Sequence, residues 1–222
     1  MQLTLGPSHD RRIFSMTLPI MPKFNNSRLK NLWLKTNKML EGNKIACLVS
    51  GGMDSAILYF LLLEENFKTG NHFIITPYTI LRMGAKNPAT NVINWIHDYY
   101  KIPKVDLNIV GDPTLPENQQ VDSGIHAIIG KVSDFLYIGI IDDRPEHYID
   151  WDKVTFVETY QIRYPFLNLQ KSHIIDLYIQ KNILELIELT TSCCTSGEIS
   201  CGICNGCAAR DWGFNQLGLT PQ

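Results

Sequence analysis

No apolar run in this sequence is long enough to cross a bilayer. The longest, Ala56 to Leu63, falls far short of the roughly 20 residues a spanning helix needs. Neither sign of charge is in excess: 20 Lys and Arg stand against 22 Asp and Glu, a net charge of −2. A general polyanion-binding surface is therefore excluded, a local basic patch is still allowed, and no direct nucleic-acid contact is expected. The N-terminal stretch around Asp10-Arg11-Arg12 lacks the apolar segment of a secretory leader, so a cytoplasmic protein with no membrane partner is expected. In that compartment thiols stay reduced, and the six cysteines are not read as disulfides. There are no internal repeats and no low-complexity tracts. What remains is globular: 222 residues, 45% hydrophobic and 19% charged, enough for one α/β domain with a small appendage.

The chain is organised around Lys44 to Leu58. Ile45 to Val49 is a short apolar run ending at a Gly pair, as a central parallel strand would be. Gly51 and Gly52 lack a Cβ, so backbone amides there can approach an anion closely. Asp54 or Ser55 is expected to cap the following helix, whose apolar face is Ile57, Leu58, Leu61 and Leu62. Free amides at a helix N-terminus make a phosphate site. The turn lacks the Gly-Lys-Ser/Thr ending of the common P-loop, which argues against γ-phosphate transfer. Ser50-Gly51-Gly52-Met53-Asp54-Ser55 instead matches the SGGxDS signature of the PP-loop ATP pyrophosphatases. Such a loop grips the β,γ-pyrophosphate of ATP while a nucleophile attacks the α-phosphate, and its acid, Asp54, can hold the Mg²⁺ that a pyrophosphate leaving group needs. The plainer alternative is an ordinary Ser/Gly turn between strand and helix.

Residues 1–26 form no clear pattern. Phe14, Met16, Leu18, Ile20 and Met21 suggest an arm or edge strand, on this domain or on a partner chain. Ser27 reads as the cap of a helix over 28–41, with Leu29, Leu32, Trp33 and Leu40 on one face. After the loop helix, Thr69-Gly70-Asn71 is a turn and Phe73 to Tyr78 a second strand. Ligands bind beyond the carboxyl ends of such strands, which makes Thr76, Pro77 and Tyr78 candidates for the adenine edge. A helix opens at Asn87-Pro88 and runs to about Tyr100, burying Val92, Ile96, Tyr99 and Tyr100, with Trp95 and His97 at the surface. Val105 to Val110 is a third strand, 119–132 a helix, and Phe135 to Ile140 a fourth strand, with Gly139 at the nucleotide side. Asp142-Asp143-Arg144 then forms a charged cluster at a strand end. A short strand lies within Val154 to Tyr164, and helices follow over 171–180 and 183–189. Strands alternating with helices predict a Rossmann-like parallel sheet.

Five of the six cysteines are Cys193, Cys194, Cys201, Cys204 and Cys207. The last three form two overlapping C-x-x-C units, which bring thiolates onto one tetrahedral ion. Cys193 or Cys194 supplies the fourth. Four thiolates leave no position for a catalytic water, so a zinc ion here is structural. Cys47 reads as a small core residue.

Together the two motifs resemble the 7-cyano-7-deazaguanine synthase family of the PP-loop superfamily. That family ends its domain with a Ser-Cys-Tyr step, a short loop and C-G-x-C-x-x-C-x-x-R. Here Ser192-Cys193-Cys194 precedes Cys201-Gly202-Ile203-Cys204-Asn205-Gly206-Cys207-Ala208-Ala209-Arg210. The resemblance implies Cys193, Cys201, Cys204 and Cys207 as the zinc ligands. It also makes Lys171, after Tyr164-Pro165-Phe166, a phosphate-facing cation. The chain is expected to divide into a nucleotide-binding domain over 42–190, a zinc-binding region over 191–222, and an N-terminal extension with its helix over 1–41 that the resemblance does not cover. The implied chemistry is two rounds of ATP use: adenylation of the carboxylate of 7-carboxy-7-deazaguanine, conversion by ammonia to the amide, and a second activation to the nitrile. No glutaminase motif is visible, so ammonia is free or partner-supplied; a homodimer stays open. The family's Asp-Tyr-Gly-Gln stretch is replaced by Pro77-Tyr78-Thr79-Ile80, and its Pro-Gly-Arg-Asn stretch by something like Val121-Asp122-Ser123-Gly124. Competing readings are a divergent member that stops at the amide or amidates another carboxylate, a PP-loop RNA thiolation enzyme, and a non-enzymatic zinc-ribbon module.

Overall fold

The structure, a computed structural model, describes residues 44–80, 88–112, 114–141, 161–193 and 201–220. The arm and helix read over 1–41, Asn87, Asp142-Asp143-Arg144, the start of the strand within Val154 to Tyr164, and Cys194 lie outside them. Five strands form one parallel sheet: β1 (Lys44–Leu48), β2 (Ile74–Ile80), β3 (Asn108–Val110), β4 (Phe135–Ile138) and β5 (Ile162–Arg163). Their order is β3-β2-β1-β4-β5, which puts the loop-bearing strand in the middle. Ile45 pairs with Ile75 on one side and Phe135 on the other. The fold is the expected α/β, Rossmann-like parallel sheet. Its order reverses beside β1, the place where open sheets of this kind bind ligands.

The helices are α1 (Met53–Thr69), α2 (Ala89–Tyr100), α3 (Glu117–Ile128), α4 (Lys171–Lys181), α5 (Leu184–Glu188) and α6 (Asn205–Gln216). Alternate residues of β1 face opposite ways. Ile45 and Cys47 pack with α1, α2, α4, α5 and α6, while Ala46 packs with Ile128 of α3. α1 is buried almost all round from Ser55 to Leu63, not along one stripe, because its neighbours α2 and α4 close both flanks. Among the described residues no helix is long and apolar enough to cross a membrane.

Several boundaries differ from those the sequence suggests. β2 runs on to Ile80 because Thr79 and Ile80 gain a partner strand in Ile109 and Val110. β3 is only three residues, and α3 stops at Ile128 ahead of the left-handed Gly130. In α2 the buried side is Ala89, Val92, Ile93, Ile96 and His97, while Tyr99 is exposed. His97, expected at the surface, is buried between helices. Its Nδ1 faces the Pro103 carbonyl at 2.6 Å and so carries the proton; its Nε2 accepts from the Tyr59 hydroxyl at 2.7 Å. A residue with both ring nitrogens satisfied can sit in a core. α6 has almost no amphipathic pattern and is not foreseen in the sequence.

Candidate functional site

β1 ends at Leu48 and α1 begins at Met53, so four residues, Val49 to Gly52, make the whole turn. Gly51 adopts φ +83°, the left-handed region, and a Cβ there would meet the Pro88 Cγ at 2.3 Å. Only glycine fits. Ser55 holds the loop together from inside. Its Oγ accepts from the Ser50 amide at 3.1 Å and donates to the Gly52 carbonyl at 3.0 Å. The Ser50 hydroxyl lies 3.1 Å from that same Oγ and accepts from the Gly52 amide at 3.3 Å. Contrary to expectation neither Asp54 nor Ser55 caps α1. Gly52 is the capping residue, and it has no side chain to bond the first-turn amides. Those amides are without intrahelical acceptors, and an anion is the natural partner for them.

The neighbours fix the loop from every side. The Val49 amide donates to the Tyr78 carbonyl at 2.7 Å, and the Thr191 amide to the Gly51 carbonyl at 3.0 Å. Met53 is buried and offers the site only backbone; its carbonyl accepts from the buried Tyr178 hydroxyl at 2.7 Å. A Cβ at Gly139 would lie 2.7 Å from the Asp54 carbonyl oxygen. Gly139 therefore permits the first turn of α1 to rest on the end of β4. Thr76 lies mid-strand opposite Ala46, and Tyr78 opposite Leu48, so of the two Tyr78 stands nearer the loop.

Asp54 and Lys171 meet across 117 residues. The ammonium donates to both carboxylate oxygens, at 2.7 and 2.6 Å. The Lys171 side chain is 9% exposed and that of Asp54 22%. Lys171 opens α4, where Gln170 and His173 form a reciprocal capping box. Gly213 of α6 packs against its stem, since a Cβ there would lie 2.8 Å from Lys171 Cγ. Each Asp54 oxygen accepts once from the Lys171 ammonium and keeps a further lone pair. Cys47 is fully buried in β1, and burial pushes its thiol far above the usual range. It is a core residue, as expected.

The cysteine tail meets the same end of the molecule. The Sγ atoms of Cys193, Cys201, Cys204 and Cys207 all lie within 4.8 Å of one another. Cys204 and Cys207 are 3.5 Å apart, and Cys201 and Cys207 4.0 Å. Thiolates bound tetrahedrally to one ion at about 2.3 Å stand about 3.8 Å apart, so this cluster fits a single metal ion. The Cys204 amide donates to Cys201 Sγ at 3.3 Å, and Gly202 takes φ +72° to turn the chain. Cys204 caps α6 and Cys207 lies in its first turn, where the positive end of the helix dipole favours thiolate. Arg210, a turn further on, is buried and was carried in the sequence only as part of the C-x-x-R pattern. The stretches Pro77 to Ile80 and Val121 to Gly124 also touch. Gly124 packs on the Ile80 side chain, where a Cβ would come within 2.6 Å.

Comparison with known proteins follows the same lines. The family described as Queuosine biosynthesis protein QueC matches residues 121–218. The 7-cyano-7-deazaguanine synthase of Methanospirillum hungatei JF-1 is 33% identical over 79% of this chain and 96% of its own length. That of Thermoplasma volcanium is 24% identical over 79% of this chain and 88% of its own. Among solved structures, the U34-tRNA thiolase NcsA from Methanococcus maripaludis, with its 4Fe-4S cluster, is 21% identical. It covers 73% of this chain and 66% of that one, with a TM-score of 0.47, a likeness too slight to bear on chemistry. The extent of the Methanospirillum match, together with the family match over the C-terminal part, shows that this chain belongs to the 7-cyano-7-deazaguanine synthase family.

Proposed function

We propose that the protein is an ATP-dependent carbon–nitrogen ligase that converts 7-carboxy-7-deazaguanine to 7-cyano-7-deazaguanine for queuosine-type modification. The observation that carries this reading is the Asp54–Lys171 pair, set at an uncapped helix N-terminus behind a glycine loop. In the reading the triphosphate lies on the loop amides of Gly51 to Ser55, and the Ser50 hydroxyl faces it. Lys171 moves from Asp54 to the phosphates, its charge stabilising what builds up on the departing pyrophosphate. The substrate carboxylate attacks the α-phosphorus, the bond to the β-phosphate bridging oxygen breaks, and an acyl-adenylate forms. Ammonia then displaces AMP, with loss of a proton, and gives the amide. In a second round the amide oxygen attacks the α-phosphorus of another ATP, expelling pyrophosphate as one N–H proton is lost. Loss of AMP and of the second N–H proton leaves the nitrile. Tyr78 and Thr76 are assigned to the adenine side, and Gly139 to the close approach of loop and strand. The division into a nucleotide-binding domain over 42–190 and a metal-binding region over 191–222 belongs to the same reading.

Zinc is the metal proposed for Cys193, Cys201, Cys204 and Cys207. Four thiolates this close hold one ion, whereas an iron–sulfur cube spreads its thiolates over different irons. Bound there, the ion would supply folding energy and not a reactive water. An RNA-thiolating enzyme needs a reactive cysteine at the loop. Among the described residues the cysteines are either drawn into the cluster or, like Cys47, sealed in the core.

A second outcome is favoured by one observation. The two stretches that replace the family's recognition residues pack on each other through Ile80 and Gly124, so they change as a unit on one side of the sheet. Nitrile formation asks that a poorly nucleophilic amide be held in line, and a misplacement of about 1 Å can cost on the order of a hundredfold. Amide is then expected to build up before nitrile. A mass-spectrometric time course with the acid, ATP and ammonium tests both: nitrile supports the ligase reading, amide build-up the second outcome. No turnover of the acid sinks the substrate assignment.

A further inference from the structure

Arg210 is a buried guanidinium that the reaction does not use, and a buried charge must find acceptors. Its Nη1 donates to the Thr190 carbonyl at 3.2 Å and the Thr190 hydroxyl at 3.1 Å; its Nη2 donates to the Ile187 carbonyl at 3.2 Å. The Thr190 carbonyl and the Thr191 amide belong to one peptide group, and that amide donates to the Gly51 carbonyl at 3.0 Å. The Gly51 carbonyl and the Gly52 amide are again one peptide group, and the Gly52 amide lies in the loop, 3.3 Å from Ser50 Oγ. A cation, two peptide groups and a loop amide are thus hydrogen-bonded in series. Each bond polarises the peptide it reaches and strengthens the next, by about 10–30% per bond.

We propose that Arg210 is a positioning residue for the phosphate-binding loop: it pins the Thr190–Thr191 peptide, which holds the Gly51 carbonyl and makes the Gly52 amide a stronger and better-aimed donor. Two features separate this from a bland packing role. The turn after α5 is already closed without the guanidinium, by the Thr190 amide and hydroxyl on the Ile187 carbonyl at 2.9 and 2.7 Å. Arg210 also lies one turn beyond Cys207, so the metal-holding helix and the loop share one rigid connection. The affinity part of the inference rests on the loop being the nucleotide site; the structural part does not.

The test is hydrogen exchange by mass spectrometry on the full-length, metal-loaded protein. Peptides over residues 50–56 are compared with peptides over 89–100, and MgATP affinity is measured by calorimetry. Arg210→Gln is expected to keep its metal and its exchange in 89–100. In 50–56 exchange should be about tenfold faster, and the MgATP dissociation constant about tenfold higher. Arg210→Lys, which keeps the charge but loses the fork, is expected between the two, and it decides the matter if Arg210→Gln does not fold. Loop exchange equal to wild type, or a rise equal in both segments, overturns the proposal. Failure of the wild-type protein to bind MgATP would remove the nucleotide reading while the exchange comparison still decides the role of Arg210.

Discussion

The glycine loop and the cysteine tail sit at the same end of the sheet but are built on opposite principles. The loop is braced by protein: β2 holds it at Val49, Thr191 at Gly51 and Ser55 from within, and Gly139 lies against the Asp54 carbonyl. Its shape needs no ligand. In the tail, Cys193, Cys201, Cys204 and Cys207 bring four sulfurs within 4.8 Å of one another, and thiolates this close repel until a cation stands between them. A site made by the fold should survive loss of individual side chains, while a site made by a metal should not. The two regions join where Arg210 Nη1 donates to the Thr190 carbonyl and hydroxyl.

The harshest way to probe this contrast is to remove the metal. Cys207→Ser should lower zinc from one ion per chain to well under one, and the melting temperature by about 10 °C or more. Full metal content in that variant would show the ligand set to be wrong. Asp54 tests the other side. Asp54→Asn should lower turnover on the order of a thousandfold while zinc stays bound. Because Asp54 neutralises a nearly buried ammonium, it should also cost about 2–3 kcal/mol of stability, discounted for its partial exposure. The sequence alone, which assigns this carboxylate to magnesium, gives no reason for that loss. Urea denaturation measures it, and Lys171→Met added to Asp54→Asn should recover part.

A smaller effect is expected at Gly139→Ala. The new methyl would press on the Asp54 carbonyl at 2.7 Å, for about 1–3 kcal/mol, with MgATP affinity falling and metal content unchanged. If metal is lost as well, the two regions are coupled more tightly than the geometry indicates. The mildest probe lies away from both. Glu64 pairs with Lys181 and Lys68. Burial raises its carboxyl, but the bonds from Lys181 and Lys68 outweigh this and hold it below the ordinary glutamate value. A depressed carboxyl contributes stability above its unfolded pKa and loses it as pH falls through the folded one. Glu64→Gln should therefore flatten the acid side of the stability profile below the ordinary glutamate range, without touching metal or nucleotide binding.

The sequence made the loop legible because backbone geometry leaves marks: glycines at fixed places, an apolar strand before them and an apolar helix after. The cysteine spacing is legible for the same local reason. What it hid is non-local. The Asp54–Lys171 bond spans 117 residues, and no periodicity reports it. Gly139 and Gly213 look like ordinary glycines until α1 and α4 arrive beside them. His97 reads as a surface residue because Tyr59, which covers its Nε2, comes from 38 residues away. α6 gives almost no amphipathic signal, since its start is set by Cys204 and its buried residues, Cys207, Arg210, Gly213 and Phe214, include a charge and a glycine.

The account turns on where ATP is cut. Phosphorus NMR of the wild-type protein with ATP, ammonium and 7-carboxy-7-deazaguanine reads this directly. AMP and pyrophosphate should appear in equal amounts, only when the acid is present, and at a rate that Asp54→Asn lowers on the order of a thousandfold. ADP and inorganic phosphate as the products would contradict it.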